Sequence, residues 1–185
     1  MEKIKVYLDN CIISAISRIE QISDEDAEAL AQISDLHFVD FITSDKSLEE
    51  LLKTPNEKRR NLFKVLYSFL KKLPKTILVA EHGGTYGEFM YGYTLYGGWG
   101  EEEDIYHFVT EIKKIFDKDD AMHISYAIFH HCDYFLTIDE KTILNRVKIN
   151  KQKLNRILDI LSSKTKFVNP ADLYEKLKIN LNHKR

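Results

Sequence analysis

The sequence predicts an α/β fold of three α/β/α layers, with a mostly parallel central sheet of four or five strands. Short apolar segments typical of strands alternate along the chain with longer segments of helical spacing. Such alternation favours parallel strands that are joined by crossover helices. Of the 185 residues, 44% are hydrophobic and 30% are charged, so the chain can bury one sizeable core. We therefore expect a single domain over residues 1–185.

The predicted strands are short runs rich in β-branched and aromatic residues. In the first run, Ile4, Val6 and Leu8 alternate with lysine and tyrosine, and the run ends at Asp9. The other strands are expected at residues 37–43, 76–80, 133–137 and 167–168.

Apolar spacing and capping signals predict helices between these strands. The first two are expected over residues 11–20 and 24–34, with Asp24 as the N-cap of the second. A third begins after Ser44, and Pro55 separates it from a fourth, which carries on one face Leu62, Leu66, Phe69, Leu70 and Leu73. Residues 81–100, rich in glycine and tyrosine, are expected to form a loop insertion. Later helices are expected to begin at Glu101, at Asp119 or Asp120 (ending near His131), and at Pro170.

Composition excludes several classes of protein. No run of about 18 apolar residues occurs, so we expect no membrane-spanning helix. The first residues lack the apolar segment of a signal peptide, and Cys11 and Cys132 cannot build a disulfide framework. A cytoplasmic location is therefore expected. With a net charge of −2, any contact with nucleic acid has to come from local basic clusters, which are otherwise solvated surface: Lys58, Arg59 and Arg60; Lys148, Lys151, Lys153 and Arg156; and His183, Lys184 and Arg185.

Four acidic residues lie where parallel sheets place ligand chemistry. Asp9 and Asp139 follow predicted strands, Glu50 lies in the helix after the second strand, and Asp120 lies at the start of a later helix. Carboxylates brought together repel one another unless a cation compensates, and Mg²⁺ or Mn²⁺ prefers such oxygen ligands. The ordinary alternative is that Asp9 and Asp119 or Asp120 are N-caps of helices.

Five short motifs, in order along the chain, resemble those of PIN-domain nucleases. They lie at residues 6–10 (VYLDN), at Ser44, Ser47, Glu50 and Leu51, and at residues 120–124 (DAMHI), 133–139 (DYFLTID) and 167–171 (FVNPA). The resemblance spans the domain from its first strand to its last. It departs from the common Asp-Thr-Asn of the first motif, where this chain reads Asp9-Asn10-Cys11.

The resemblance implies a nuclease of the VapC-like type, which cuts RNA with Mg²⁺ or Mn²⁺. It implies metal-binding or water-activating roles for Asp9, Glu50, Asp120 and Asp139, and supporting or phosphate contacts for Asn10, Ser44 and Thr137. It also implies an antitoxin protein as a possible partner and a possible homodimer. A PIN nuclease of RNA processing or one acting on DNA, and an inactive module that binds RNA or protein, are the alternatives.

Three further interpretations stay open at the level of sequence. Glu49 and Asp119 are neighbours that a shift of one residue would put in place of Glu50 and Asp120. The aromatic residues of the predicted loop either stack on RNA bases or pack that loop: Tyr86, Tyr91, Tyr93, Tyr96 and Trp99. For His123, His130 and His131, zinc binding is disfavoured because His123 and His130 are two helical turns apart, and we expect exposed or helix-end positions.

Overall fold

The computed structural model describes residues 3–18, 21–69, 71–72 and 99–182 and has a parallel sheet at its centre. The sheet consists of five strands in the order β3-β2-β1-β4-β5, and each neighbouring pair is parallel. The strands are β1 (Ile4–Leu8), β2 (Val39–Thr43), β3 (Lys71–Lys72), β4 (Tyr134–Leu136) and β5 (Lys166–Val168). The predicted α/β class with a parallel sheet is confirmed.

Helices connect the strands and cover both faces of the sheet. Those N-terminal to β3 are α1 (Asn10–Ile16), α2 (Asp24–Ser34), α3 (Asp45–Leu52) and α4 (Glu57–Phe69). Those that follow it are α5 (Trp99–Ile112), α6 (Lys118–Phe129), α7 (Asn145–Ile149), α8 (Lys151–Ile160) and α9 (Pro170–Asn182), with a π-helical turn (Glu140–Leu144) leading into α7. Among the described residues, no helix is long and apolar enough to cross a membrane.

Two apolar cores lie on opposite faces of the sheet, which gives the three layers. Val6 and Leu8 of β1 pack on one face with residues of α1, α2, α4 and α9. Tyr7 points to the other face, among residues of α5, α6 and α8, and its ring stacks on Phe135 at 5.5 Å between centroids. Because β1 is the central strand, its second half is buried on both faces.

The strand order places a topological switch at β1. The chain builds β2 and β3 on one side of β1, and then β4 and β5 on the other. Connections therefore leave the carboxyl ends of β1 and β4 in opposite directions, and parallel α/β sheets typically bind their ligands beside such a point. Asp9 and Thr137 are the first residues after these two strands.

Several predicted boundaries were wrong. The N-cap of α2 is Ser23, whose hydroxyl accepts from the Asp26 amide, and not Asp24. In α4, Leu62 is 42% exposed because Phe63 and Tyr67, one turn apart, occupy the buried face instead. The helix α5 begins at Trp99, so the predicted loop cannot extend to residue 100. Other expectations lie outside the described residues: Leu70 and Leu73, the strand at 76–80, the loop over 81–98 with its tyrosines, and the basic cluster at 183–185.

A matched pair of substitutions tests this account of the core. Ile124 of α6 is fully buried, whereas Ile160 of α8 is 63% exposed. We expect Ile124→Ala to lower the free energy of unfolding by about 2–5 kcal/mol, since it leaves a cavity. Ile160→Ala should change it by less than about 0.5 kcal/mol. Urea unfolding followed by circular dichroism measures both, and equal effects would contradict the assigned burial.

Candidate active site

Asp9 lies at the junction of β1 and α1, where several donors fix its carboxylate. It is the N-cap of α1, and its Oδ1 accepts from the Asn10 amide at 2.7 Å. Its Oδ2 accepts from the Thr137 hydroxyl at 2.7 Å and from the Cys11 thiol at 3.0 Å. Burial, followed by the charge of Asp9, raises the pKa of Cys11, so the thiol keeps its proton and donates it. Asp9 is therefore both the N-cap of α1, as the ordinary alternative predicts, and the first residue after β1, as the site prediction requires.

Thr137 ties the ends of β1 and β4 together. Its fully buried hydroxyl donates to Asp9 and accepts from the backbone amide of Asp139 at 3.0 Å. Asp139 in turn caps the π-helical turn: its Oδ1 and Oδ2 accept from the amide and the hydroxyl of Thr142, both at 2.8 Å. Hydrogen bonds therefore fix the relative positions of both aspartates.

Asp120, in the first turn of α6, is electrostatically coupled to these two aspartates. Burial raises its pKa, hydrogen bonding with Thr142 opposes that rise, and the negative charges of Asp9, Asp139 and Asp117 add to it. Asp117 is itself neutralised by Arg146, whose guanidinium donates to both carboxylate oxygens at 3.1 Å. The charges of Asp9 and Asp139 therefore act on Asp120, although burial is the larger cause of its raised pKa.

Glu50 lies in α3, and its side chain contacts residues of α1 and α6. Its Oε2 accepts from the Asn10 amide nitrogen at 2.6 Å and from His123 Nε2 at 2.9 Å. Burial alone would raise the pKa of Glu50, but the hydrogen bond and charge of His123, with Lys46 and Asn10, lower it overall. Glu50 is consequently a fixed, ionised carboxylate.

The structure also settles which member of each acidic pair faces the site. Glu49 and Asp119 are both exposed. Glu50 makes the contacts with Asn10 and His123, and Asp120 is the member coupled to Asp9. Glu49 and Asp119 therefore do not take the places of Glu50 and Asp120.

A buried chain of hydrogen bonds supports Glu50 from behind. His123 Nδ1 lies 2.9 Å from the Tyr7 hydroxyl, which lies 2.8 Å from the Ser44 hydroxyl and 3.3 Å from that of Ser47. A carboxylate oxygen only accepts hydrogen bonds, so His123 Nε2 is the donor to Glu50. The Ser44 hydroxyl contacts Tyr7 and not one of the four carboxylates. It also caps the N-terminus of α3.

The expectation that His123 is exposed or at a helix end was wrong. It lies within α6 with 3% of its surface exposed, and only His130 caps the helix. The missed signal was spacing: His123 follows Asp120 by three residues, so both lie on one helix face. Tyr7 was missed because strand alternation placed it with the polar residues.

Two oxygen atoms in the site have no hydrogen-bond partner among the described residues. Asn10 Oδ1 and Glu50 Oε1 are both buried, although Lys46 Nζ lies 3.8 Å from the latter. These oxygens and the carboxylates are the hard donors that Mg²⁺ and Mn²⁺ prefer, so the donor set fits such an ion. In the described part of the chain, however, no three His, Cys, Asp or Glu residues are close enough together to hold one ion.

Comparisons with known proteins add no relatives of established function. No protein-family model matches the chain, and no curated protein matches it. The functional argument therefore depends on the sequence motifs and on the geometry of the site.

The buried hydrogen-bond chain predicts a cost for removing the Tyr7 hydroxyl. Tyr7→Phe would leave His123 Nδ1 with only a 3.5 Å contact to Ser47, and we expect a loss of about 1–3 kcal/mol of stability. Tyr134→Phe is the control, because its hydroxyl makes no hydrogen bond to any described residue, and its effect should stay below about 0.5 kcal/mol. Chemical denaturation measures both effects. A Tyr7→Phe variant as stable as the parent would refute the hydrogen-bond chain.

The raised pKa of Asp120 predicts a pH-dependent stability. Its pKa is higher in the folded chain, so the folded state binds the extra proton. Stability is therefore lost as the pH rises from the unfolded pKa, about 3.9, through the folded one. In EDTA at pH 7, Asp120→Asn should melt at a higher temperature than the parent, and the gain should vanish below about pH 4. Thermal melts across this range, with the exposed Asp119→Asn as control, measure the difference; a gain independent of pH would contradict the coupling.

Proposed function

We propose that the protein is a metal-dependent endoribonuclease of the PIN type, hydrolysing RNA phosphodiester bonds at Asp9, Glu50, Asp120 and Asp139. The observation that carries the proposal is the Thr137 hydroxyl, which donates to the Asp9 carboxylate at 2.7 Å and accepts from the Asp139 backbone amide at 3.0 Å. The coupling of Asp120 to the charges of Asp9 and Asp139 supports it. Asp9 and Asp139 follow β1 and β4, the two strands on either side of the switch point of the parallel sheet, where such folds bind their ligands. The geometry supports the proposal by bringing together motifs whose resemblance implied this chemistry.

Bound Mg²⁺ or Mn²⁺ would supply a water of lowered pKa and would neutralise charge on the phosphodiester. Asp9, Asp120, Asp139 and the unpaired oxygen of Glu50 would hold the ion. The chain's other residues orient these donors: Thr137 and Cys11 fix Asp9, while His123 and Asn10 fix Glu50. Such supporting contacts typically contribute about 10–100-fold to metal affinity or activity.

The coupling also bears on the alternative of an inactive binding module. Carboxylates that repel one another lower stability, and a module that only binds RNA or protein gains nothing from retaining them. The toxin role, the antitoxin partner, the homodimer and the preference for RNA over DNA follow from the resemblance alone, and they stay predictions.

Cleavage of RNA tests the proposal. The purified chain should cut single-stranded RNA with Mg²⁺ or Mn²⁺ and should stop when EDTA is added. Asp120→Asn and Glu50→Gln should each lower the rate by more than about 100-fold, since they remove direct donors. Gel electrophoresis of end-labelled RNA measures these rates.

The neighbouring acidic residues supply matched controls with the same change of charge. Asp119→Asn and Glu49→Gln alter exposed side chains, so they should cut RNA within about twofold of the parent rate. A parent that is inert toward RNA and DNA with either metal would favour the binding module. Equal rates for Asp119→Asn and Asp120→Asn would refute the site.

A further inference from the structure

Arg59, in the first turn of α4, is docked on α1 instead of extending into solvent. Its Nη2 donates to the hydroxyls of Ser14 at 3.2 Å and Ser17 at 3.4 Å, and its guanidinium lies 5.3 Å from the ring centre of Phe63. Its Nε is buried and has no acceptor within the described part of the chain. A donor fixed in this way still lacks a partner.

The positive charge of Arg59 is also uncompensated. Among the residues whose side chains the structure describes, no carboxylate lies within ion-pair distance of Arg59 or of Arg18, which directly follows Ser17. Burial and then the charge of Arg18 lower the pKa of Arg59, in keeping with two cations near each other. Arg59, fixed by Ser14, Ser17 and Phe63, with the positive charge of Arg18 acting on it and no described acid beside it, favours an anionic ligand.

The position of this pair relative to the carboxylates suggests which anion binds. Asn10, Ser14 and Ser17 are spaced four and three residues apart, so they follow one face of α1. Asn10 contacts Glu50 at one end of this face, and Ser14 and Ser17 contact Arg59 toward the other. The distance along the axis from Asn10 to Ser17 is about 10 Å, which a short length of polynucleotide backbone can span.

We propose that Arg18 and Arg59 form a phosphate-binding site that holds the RNA backbone beside the scissile bond, an inference that rests on the proposed nuclease function. A guanidinium presents a planar fork of donors to phosphate oxygens. The site contacts the backbone and no base, so it sets the path of the strand without selecting its sequence. It also supplies the local positive charge that a chain of net charge −2 requires for this substrate.

Arg18→Gln is the informative variant, because Arg18 is exposed and its replacement leaves the packing of Arg59 intact. The probe is a fluorescein-labelled single-stranded RNA of about ten nucleotides, bound to chains that also carry Asp120→Asn so that it is not cut. We expect Arg18→Gln to weaken binding about threefold or more at low salt. It should also reduce the slope of log affinity against log salt by about 0.7, the value for one phosphate contact.

Arg156→Gln is the matched control, since Arg156 is exposed on α8, across the sheet from α1. It should leave both the affinity and the salt slope unchanged. Arg18→Gln should reduce the salt slope by the same amount for single-stranded DNA of the same length as for RNA, because the ligand is the phosphate. If Arg18→Gln has the same RNA affinity and salt slope as Arg156→Gln while the parent chain still cuts RNA, the phosphate site is refuted and the proposed nuclease function stands. If the chain neither binds nor cuts RNA, both are refuted.

Discussion

The hydrogen bond from Thr137 to Asp9 joins the carboxyl ends of two parallel strands, and the geometry of the candidate site depends on it. The two residues are 128 positions apart in sequence, yet both are buried and their oxygens lie 2.7 Å apart. The bond requires β1 and β4 to pair in register, with Leu8 beside Leu136. Through the same hydroxyl, the backbone of Asp139 is fixed relative to Asp9. The sheet therefore determines where two of the four carboxylates lie.

The four carboxylates are not equally compensated. Glu50 has a buried histidine, an amide and a lysine around it, and its pKa is lowered. Asp120 has no cation within ion-pair distance among the described residues, and its pKa is raised. The two carboxylates therefore differ in their surroundings: Glu50 lies beside positively charged groups, whereas the charges that act on Asp120 are negative. The contact with His123 keeps Glu50 ionised and oriented independently of the three aspartates.

The sequence predicted those features that local patterns encode. Strand ends located Asp9 and Asp139, because each follows a short apolar run typical of a strand. The roles of Glu50 and Thr137 were implied by the resemblance of their motifs. Tyr7 and His123 escaped prediction because their role depends on a contact between residues 116 positions apart. The docking of Arg59 depends likewise on the packing of α4 against α1, which its basic neighbours in sequence do not indicate. The buried face of α4 was misplaced because several large apolar residues there satisfied more than one helical register.

Direct measurement of Mn²⁺ binding tests most closely the proposal that Asp9, Glu50, Asp120 and Asp139 bind a divalent cation. Isothermal titration of the parent chain, Asp120→Asn and the exposed control Asp119→Asn requires no substrate. The parent and Asp119→Asn should bind Mn²⁺ alike, and Asp120→Asn should bind it at least about tenfold more weakly. Equal affinity of Asp120→Asn and the parent, or no binding by any of the three, would contradict the claim.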